Sequence, residues 1–337
     1  MRIGFFEMEG WEEAIVRKEL VGHELYFSKE TIDEDTLPEV HDFDIISIFV
    51  DSDITPKVLD HFPNVKLITT NSTGFDHIDI EACKARGITV TFVPGYGNNT
   101  VAEFAMGLLL NLTRKIYLAI YQVEERDDFS LSNLRGIDLK GKTMGILGTG
   151  RIGKEMVKIA KGFGMNVIAY DMYPDTAAAQ ELGFSYKTLE EVLGNSDCIS
   201  IHCPLNDSTH HLISMKNVNL IKRGAYLVNT ARGPIIETDA IVYALKEGIL
   251  AGAGLDVLEE EEETKNELKF LSRSGSHEEA FKIIVENHVL MEMPNALVTP
   301  HNAFNSQEAL MRILDTTMKN IKGFVAGTLD PKNVVKA

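Results

Sequence analysis

Short apolar runs rich in β-branched residues alternate with segments of helical spacing along most of the chain. A first series of these runs predicts strands at Arg2–Phe6, Glu24–Phe27, Asp44–Val50, Val65–Thr70 and Ile88–Phe92. A second series predicts strands at Thr143–Leu147, Asn166–Tyr170, Cys198–His202, Ala225–Asn229, Ala251–Val257 and Leu297–Thr299. Strands that alternate with helices are typical of βαβ units and parallel sheets. The pattern therefore predicts an α/β protein with two doubly wound parallel-sheet domains.

A longer apolar segment, Thr100–Tyr121, separates the two series and predicts one helix. Most of its apolar residues share one face at helical periodicity, but Met106 and Leu110 make other faces apolar too. A helix that is apolar nearly all round needs burial on more than one side. Two interpretations remain open: a core helix between the domains, or a contact surface of a homodimer. A further amphipathic helix is predicted at Ser306–Ala326.

Composition narrows the class of protein. With 337 residues, 44% hydrophobic and 25% charged, the chain is long enough for about two globular domains. The formal net charge of −17 argues against nucleic acid or an anionic membrane surface as the main partner, since both need clustered Lys and Arg. We therefore expect no nucleic-acid and no membrane partner.

Cysteine usage and the shortness of the apolar segments lead us to expect a cytoplasmic protein. Cys83, Cys198 and Cys203 include no CxxC pair, so neither a disulfide framework nor a zinc site is expected. The longest strongly apolar segment, Phe104–Leu110, is far shorter than the roughly 20 residues of a membrane span. No HExxH or similar ligand spacing occurs, and we expect no metal.

The strongest local motif is a glycine-rich turn between a strand and a helix. Gly148, Gly150 and Gly153 spell GxGxxG, with Arg151 and Ile152 between them, and a helix is predicted at Ile152–Phe163. The first glycine permits a tight turn, the second lets the backbone approach a pyrophosphate, and the third lets the helix pack closely. The N-terminus of the helix then faces the negative charge of the pyrophosphate. This context predicts a dinucleotide site in a Rossmann domain.

Asp171 follows the next predicted strand, at the distance where such folds place an acceptor for the adenosine ribose. Its negative charge would repel a 2′-phosphate, and neither Arg nor Lys follows in Met172, Tyr173 and Pro174. The sequence therefore favours NAD over NADP.

Three further motifs carry charged or titratable side chains after predicted strands. Arg232 lies in NTARGPIIETDA, where its planar guanidinium suits a carboxylate. Asp256 ends a strand in GLDVLEEEEE, and the pattern leaves open which residue of the run Glu259–Glu263 turns inward or whether the run is a solvated turn. His301 in TPHNAF suits a general acid and base. His202, His210 and His211 compete for that role, and His202 in SIHCP suits a residue that lines the cofactor crevice.

These motifs, in this order, resemble the D-isomer-specific 2-hydroxyacid dehydrogenases over nearly the whole chain, and within that family the D-lactate dehydrogenase branch most. TTNSTGFDHIDIEACKARGITVTFVPGY upstream adds to the resemblance. It implies a Rossmann NAD-binding domain at 100–301, inserted into a smaller flavodoxin-like substrate domain at 1–99 and 302–337. It also implies homodimers.

The resemblance implies roles for individual residues. Arg232 would bind the substrate carboxylate and keto oxygen, His301 would be the acid/base, and Glu261 would raise the pKa of His301. The substrate would also contact Thr73, Gly74, Tyr96 and Phe304. The cofactor would contact Gly148, Gly150, Arg151, Ile152, Gly153, Asp171, His202, Pro204, Thr230, Ala231 and Asp256.

The expected reaction is reversible hydride transfer between NADH and a small 2-keto acid, with pyruvate to D-lactate favoured. At Phe304 the lactate enzymes of the family typically carry a tyrosine. The loss of that hydroxyl leaves a larger apolar substrate, such as 2-ketoisocaproate, as an alternative. A weakly catalytic, NAD-sensing corepressor shares the fold and the same three catalytic side chains, and stays a second alternative.

Overall fold

A computed structural model of the chain describes residues 1–265, 267, 270 and 278–336. The chain divides into two compact units, Met1–Tyr96 with Ser306–Ala337, and Gly97–Asn305. The sequence placed these boundaries at 99/100 and 301/302. The assignment of a substrate role to the first unit stays a prediction.

The first unit contains a five-stranded parallel sheet. Its strands are β1 (Arg2–Phe5), β2 (Glu24–Phe27), β3 (Ile45–Ile48), β4 (Leu67–Thr70) and β5 (Thr89–Thr91). Their order is β2-β1-β3-β4-β5, the flavodoxin-like order that was expected. The helices of this unit are Gly10–Glu19, Pro56–His61, Ile80–Ala85 and Gln307–Ala326, with a 3₁₀ turn at Pro331–Asn333. Strands β3 and β4 are buried along their whole length, which explains their continuous apolar runs.

The second unit contains a seven-stranded parallel sheet. Its strands are β6 (Thr143–Leu147), β7 (Asn166–Tyr170), β8 (Ser185–Tyr186), β9 (Cys198–Ile201), β10 (Ala225–Asn229), β11 (Leu250–Leu255) and β12 (Ala296–Val298). The order is β12-β11-β10-β9-β6-β7-β8, so the direction of winding reverses between β6 and β9. The predicted α/β class with two doubly wound parallel sheets is confirmed.

Helices connect the strands of the second unit. They span Asn98–Arg114, Ile116–Arg126, Arg151–Gly162, Thr176–Leu182, Leu189–Asn195, Thr238–Lys246, Glu261–Lys265 and Glu278–Glu292, with 3₁₀ turns at Val218–Leu220 and Gly233–Ile235. None of these described helices, nor those of the first unit, combines the length and apolarity that a membrane span requires.

The prediction of one continuous helix at Thr100–Tyr121 was wrong. The helix ends at Arg114, Lys115 adopts a left-handed conformation, and a second helix begins at Ile116. The break has a long-range cause, because the carbonyl of Thr113 accepts a hydrogen bond from the Ile137 amide at 2.9 Å and does not continue the helical ladder. The Asn98–Arg114 helix lies in the core of the unit, whereas the Ile116–Arg126 helix has no buried residue.

Candidate active site

Chemistry-bearing residues follow five neighbouring strands of the second sheet. Because β12, β11, β10, β9 and β6 are parallel, their carboxyl ends meet at one edge of that sheet. The residues that follow these strands include Gly148, His202, Thr230, Asp256 and His301. Ligands of doubly wound folds bind at this edge, at the point where strand order reverses. Here that point lies between β6 and β9.

The glycine turn after β6 is tightly packed at Gly148 and Gly153 but open at Gly150. Gly148 has φ +93°, and a Cβ there would lie 2.5 Å from the amide nitrogen of Cys203. A Cβ at Gly153 would lie 2.0 Å from the carbonyl oxygen of Gly148. At Gly150, which caps the helix Arg151–Gly162, a Cβ would meet nothing within 4 Å. An open backbone cradle at a helix N-terminus fits a pyrophosphate.

Asp171 lies beside this cradle at the end of β7. One carboxylate oxygen accepts hydrogen bonds from the Thr149 amide at 2.7 Å and from its hydroxyl at 2.9 Å. The other oxygen accepts the Tyr173 amide at 2.9 Å. A carboxylate offers about four acceptor positions, so capacity for hydroxyl donors remains. The acceptor and the cradle together fit the adenosine half of NAD.

Two polar side-chain atoms near the same strand ends are buried without a hydrogen-bond partner among the described residues: Nδ1 of His202 and the Thr230 hydroxyl. The His202 Nε2 faces the Ser200 hydroxyl at 2.8 Å, and burial lowers the pKa of His202 to about 3. A ring that stays neutral at physiological pH cannot serve as the general acid. Pro204 lies in the loop that follows His202, and its carbonyl accepts a hydrogen bond from the Thr209 hydroxyl at 2.6 Å.

The loop after β10 places Arg232. Asn229 holds this loop, because its side chain accepts the Ala231 amide at 3.0 Å and donates to the Arg232 carbonyl at 2.8 Å. A Cβ at Gly233 would lie 1.9 Å from the carbonyl oxygen of Leu258, so only glycine permits this approach. The close contact brings the Arg232 loop against the turn that follows β11. The guanidinium of Arg232 donates to the carbonyl of its neighbour Ala231 at 2.8 Å.

Asp256, only 1% exposed, organises the loop that carries His301. Its oxygens accept the Thr299 hydroxyl at 2.5 Å and the amides of Asn302 and Ala303 at 2.8 Å each. Burial raises the pKa of Asp256, although these hydrogen bonds and the nearby His301 act in the opposite direction. Asp256 therefore fixes the backbone around His301. Its predicted contact with the nicotinamide stays a prediction.

His301 forms a pair with Glu261. The Nδ1 atom of His301 lies 3.2 Å from Oε1 of Glu261, and His301 has φ +54°. Lys265 approaches the same carboxylate oxygen at 3.0 Å. Burial alone would raise the pKa of Glu261, but the hydrogen bond and charge of His301, with a smaller effect of Lys265, bring it below the usual value. An ionised carboxylate on Nδ1 leaves Nε2 of His301 for proton exchange.

The structure reveals a second histidine–glutamate pair that the sequence did not predict. Nε2 of His211 lies 2.6 Å from Oε1 of Glu259, and the other Glu259 oxygen accepts the amide and hydroxyl of Thr238 at 2.7 and 2.5 Å. Glu259 is 7% exposed, so the interpretation of the whole glutamate run as a solvated turn was wrong for this residue. Nothing in the sequence distinguishes Glu259 from its neighbours, because its burial depends on the distant Thr238 and His211.

The remaining predicted substrate contacts lie in other places. Thr73 and Gly74 follow β4 in the first unit, where the Thr73 hydroxyl donates to the Val93 carbonyl at 2.8 Å. The Tyr96 carbonyl, in the same unit, accepts a hydrogen bond from Nε of Arg312 at 2.7 Å. Phe304 lies in the second unit, half-buried after the His301 loop. These positions leave the substrate roles as predictions.

Comparisons with known proteins identify the family. Residues 106–303 match the family model described as D-isomer specific 2-hydroxyacid dehydrogenase, NAD binding domain. The chain is 37% identical to the 2-hydroxyacid dehydrogenase homolog 1 of Schizosaccharomyces pombe, with 100% of both chains covered. It is 35% identical to the D-lactate dehydrogenase of Escherichia coli K12, with 99% of this chain and 100% of that protein covered.

A solved structure agrees with these sequence relationships. The D-lactate dehydrogenase of Aquifex aeolicus, in complex with NAD and lactic acid, matches with a TM-score of 0.86 and 33% identity. The match covers 99% of this chain and 98% of that one. The glycine cradle, its helix N-terminus and the Asp171 acceptor fit the dinucleotide named there. The chain belongs to the D-isomer-specific 2-hydroxyacid dehydrogenases, a family of NAD-dependent oxidoreductases, and its cofactor is NAD.

Proposed function

We propose that the protein reduces a small 2-keto acid, with pyruvate favoured, to the D-2-hydroxy acid, and that it catalyses the reverse oxidation. The observation that carries this proposal is the His301–Glu261 pair at 3.2 Å, on the sheet edge that also holds the glycine cradle and the Arg232 loop. The full-length similarity to an E. coli enzyme named D-lactate dehydrogenase supports pyruvate and the D product.

The glycine turn at Gly148–Gly153 and Asp171 would hold the dinucleotide, which when bound as NADH would supply the hydride for the carbonyl carbon of the substrate. His301 donates a proton from Nε2 to the carbonyl oxygen during reduction and accepts it back during oxidation. The ionised carboxylate of Glu261 lies against the other ring nitrogen, Nδ1. There it stabilises the imidazolium form of His301 and fixes the orientation of the ring. Asp256 keeps the backbone of His301 in place through its bonds to Asn302 and Ala303.

Arg232 binds the substrate carboxylate and polarises the keto oxygen in this proposal. A guanidinium presents parallel N–H donors that match a carboxylate, which a lysine cannot reproduce. The support is the close approach of Gly233 to Leu258, which sets the Arg232 loop beside the turn leading to Glu261. We further propose that Thr230 and Ala231, on the same loop, line the nicotinamide pocket.

The central test is a steady-state assay of NADH oxidation with pyruvate, followed by chiral analysis of the product. We expect D-lactate, and a fall in kcat of about 10²–10⁴-fold for His301→Asn. Arg232→Lys should raise KM for pyruvate more than it lowers kcat. His211→Asn serves as the matched control, since it removes another histidine that is paired with a glutamate. L-lactate as the product, or equal losses in the two histidine variants, would contradict the proposal.

Phe304 supports a second substrate, a larger apolar 2-keto acid. A phenyl ring offers no hydroxyl to a small polar substrate, and it adds apolar surface to the loop after His301. The ratio of kcat/KM for pyruvate and 2-ketoisocaproate decides between the two, and Phe304→Tyr should shift it toward pyruvate. Strong pyruvate preference in the unmodified protein would exclude the larger substrate. Tight NADH binding with negligible turnover on both acids would favour a corepressor-like protein instead.

We also propose that the protein is a cytoplasmic homodimer. The Ile116–Arg126 helix and the segment after it expose large apolar side chains, with Phe129 80% and Leu131 85% exposed. Burial of this surface by a second copy would account for its composition. Light scattering should give a molecular mass twice that of one chain. In Ile120→Glu the measured mass should fall to that of a single chain. An unmodified protein that is monomeric at micromolar concentration would exclude the dimer.

A further inference from the structure

We propose that His210, His211 and Glu259 form a binding site for a divalent transition-metal ion such as Zn²⁺, separate from the His301–Glu261 pair. Each of the three offers one ligand atom, and these atoms lie within 4.8 Å of one another. The rings of His210 and His211 stack with centroids 4.0 Å apart and planes 29° apart. Two neighbouring imidazoles and one carboxylate thereby lie close enough together to reach a single ion.

The required adjustment is small. Zinc bonds of about 2.0–2.2 Å in a tetrahedral site set ligand atoms roughly 3.4 Å apart. His210 is exposed, and its ring contacts the ring of His211, so a rotation of His210 would change that stacking contact. The Oε1 atom of Glu259 is already 2.6 Å from Nε2 of His211, a separation that a shared metal would lengthen modestly. The present separations of up to 4.8 Å are therefore close to the spacing of a tetrahedral site.

The carboxylate ligand is held by a second layer of hydrogen bonds. The Thr238 amide and hydroxyl both donate to Oε2 of Glu259, which leaves Oε1 to face the histidines. The backbone carbonyl of Glu259 accepts a hydrogen bond from the side-chain amide of the buried Asn287 at 2.8 Å. Hydrogen bonds of this kind orient metal-ligating carboxylates and raise affinity. A nearly buried carboxylate fixed in this manner has a low reorganisation cost for binding a cation.

Local charge also favours a cation. Glu259 belongs to the run of five consecutive glutamates Glu259–Glu263, which adds negative charge to this turn. The net charge of −17 adds to the attraction. Imidazole with carboxylate selects Zn²⁺, Ni²⁺ or Cu²⁺ over Mg²⁺ and Ca²⁺, which prefer all-oxygen sites.

A bound ion would cross-link two loops that are distant in sequence. His210 and His211 lie between β9 and β10, whereas Glu259 follows β11. Metal binding to the folded chain should therefore raise the thermal unfolding midpoint in proportion to the logarithm of metal concentration. This effect does not depend on catalysis.

The test is isothermal titration of ZnCl₂ into the full-length, chelator-treated chain without a histidine tag. We expect one Zn²⁺ per chain with a micromolar Kd, a higher unfolding midpoint, and at least tenfold weaker binding in His210→Ala. His210 is exposed, so this variant should fold normally. Mg²⁺ at the same concentration should give no such binding.

Two variants serve as controls. His41→Ala disrupts another ring pair, His41 and His61, whose nitrogens face the carbonyls of Glu39 and Pro38, and it should bind Zn²⁺ as the unmodified chain does. His301→Asn should also bind normally, which separates this site from the proposed catalytic pair. Absence of binding at 100 µM Zn²⁺ would overturn the proposal. Unchanged affinity in His210→Ala, or an equal loss in His41→Ala, would overturn it too.

Discussion

Glu261→Gln tests the proton chemistry of the proposed site most directly. Glutamine keeps the size of the side chain and an oxygen that can accept from Nδ1 of His301, so the substitution removes charge and little else. Two unit charges about 4 Å apart interact by about 4 kcal/mol at an effective dielectric constant of about 20. The Glu261 and His301 side chains are 22% and 30% exposed, and Lys265 shares the carboxylate. Solvent screening and that competing cation reduce the net effect to roughly 1–2 kcal/mol.

That energy corresponds to about a tenfold change in rate. We therefore expect kcat/KM for keto-acid reduction to fall about tenfold in Glu261→Gln, because the imidazolium loses its stabilising charge. The assay is steady-state NADH oxidation at pH 7. Glu262→Gln, which removes the same charge one residue away, is the matched control. A kcat/KM equal to that of the unmodified enzyme, or an equal loss in both variants, would refute the assignment.

The same pair affects stability with a defined sign. The pKa of Glu261 is lowered in the folded chain, so its contribution is present above the usual glutamate pKa and is lost as pH falls through the lower folded value. The difference in unfolding free energy between the unmodified chain and Glu261→Gln should thus be larger at pH 7 than at pH 3. Denaturant titrations at the two pH values measure it, and a difference that grows toward acid would contradict the assignment.

Three further variants probe the cofactor cradle and the loop that holds His301. Gly153→Ala places a methyl group 2.0 Å from the Gly148 carbonyl, so we expect NADH to bind at least tenfold more weakly by fluorescence titration, and unchanged binding would contradict the close packing. Asp171→Ala with Met172→Arg should lower the ratio of kcat/KM for NADH over NADPH, and an unchanged ratio would count against the ribose contact. Asp256→Asn turns an amide group toward a backbone N–H, such as that of Ala303, and should lower the free energy of unfolding by about 1–3 kcal/mol in urea titrations. Full stability in that variant would show that the buried carboxylate does not hold the loop.

The sequence could predict the local cofactor geometry because its constraints are local. Gly148 needs a positive φ, and Gly153 needs to lack a Cβ, and both requirements come from a turn of six residues. The alternation of apolar strands with helices likewise follows from side-chain burial within each segment. Parallel pairing then places all the strand ends at one edge, which is why residues as distant as Gly148 and His301 could be assigned to one site.

The break at Lys115 and the burial of Glu259 could not be predicted in this way. The helix ends because the Ile137 amide takes the Thr113 carbonyl, and Ile137 lies more than twenty residues away. Glu259 is buried because Thr238 and His211 reach it from other loops. A run of identical side chains has no internal signal that separates one member from the next.

The sequence by itself determined the two-sheet α/β architecture, the dinucleotide turn and the motifs by which the family is recognised, because each depends on residues close together in the chain. The family resemblance implied that Glu261 acts on His301, and the two side chains are in contact, but only the tertiary structure decided that Glu259 faces His211. The physical reason is that a hydrogen bond needs two atoms within about 3 Å. For residues 40 and 48 positions apart, that distance is set by the packing of the whole sheet and its loops.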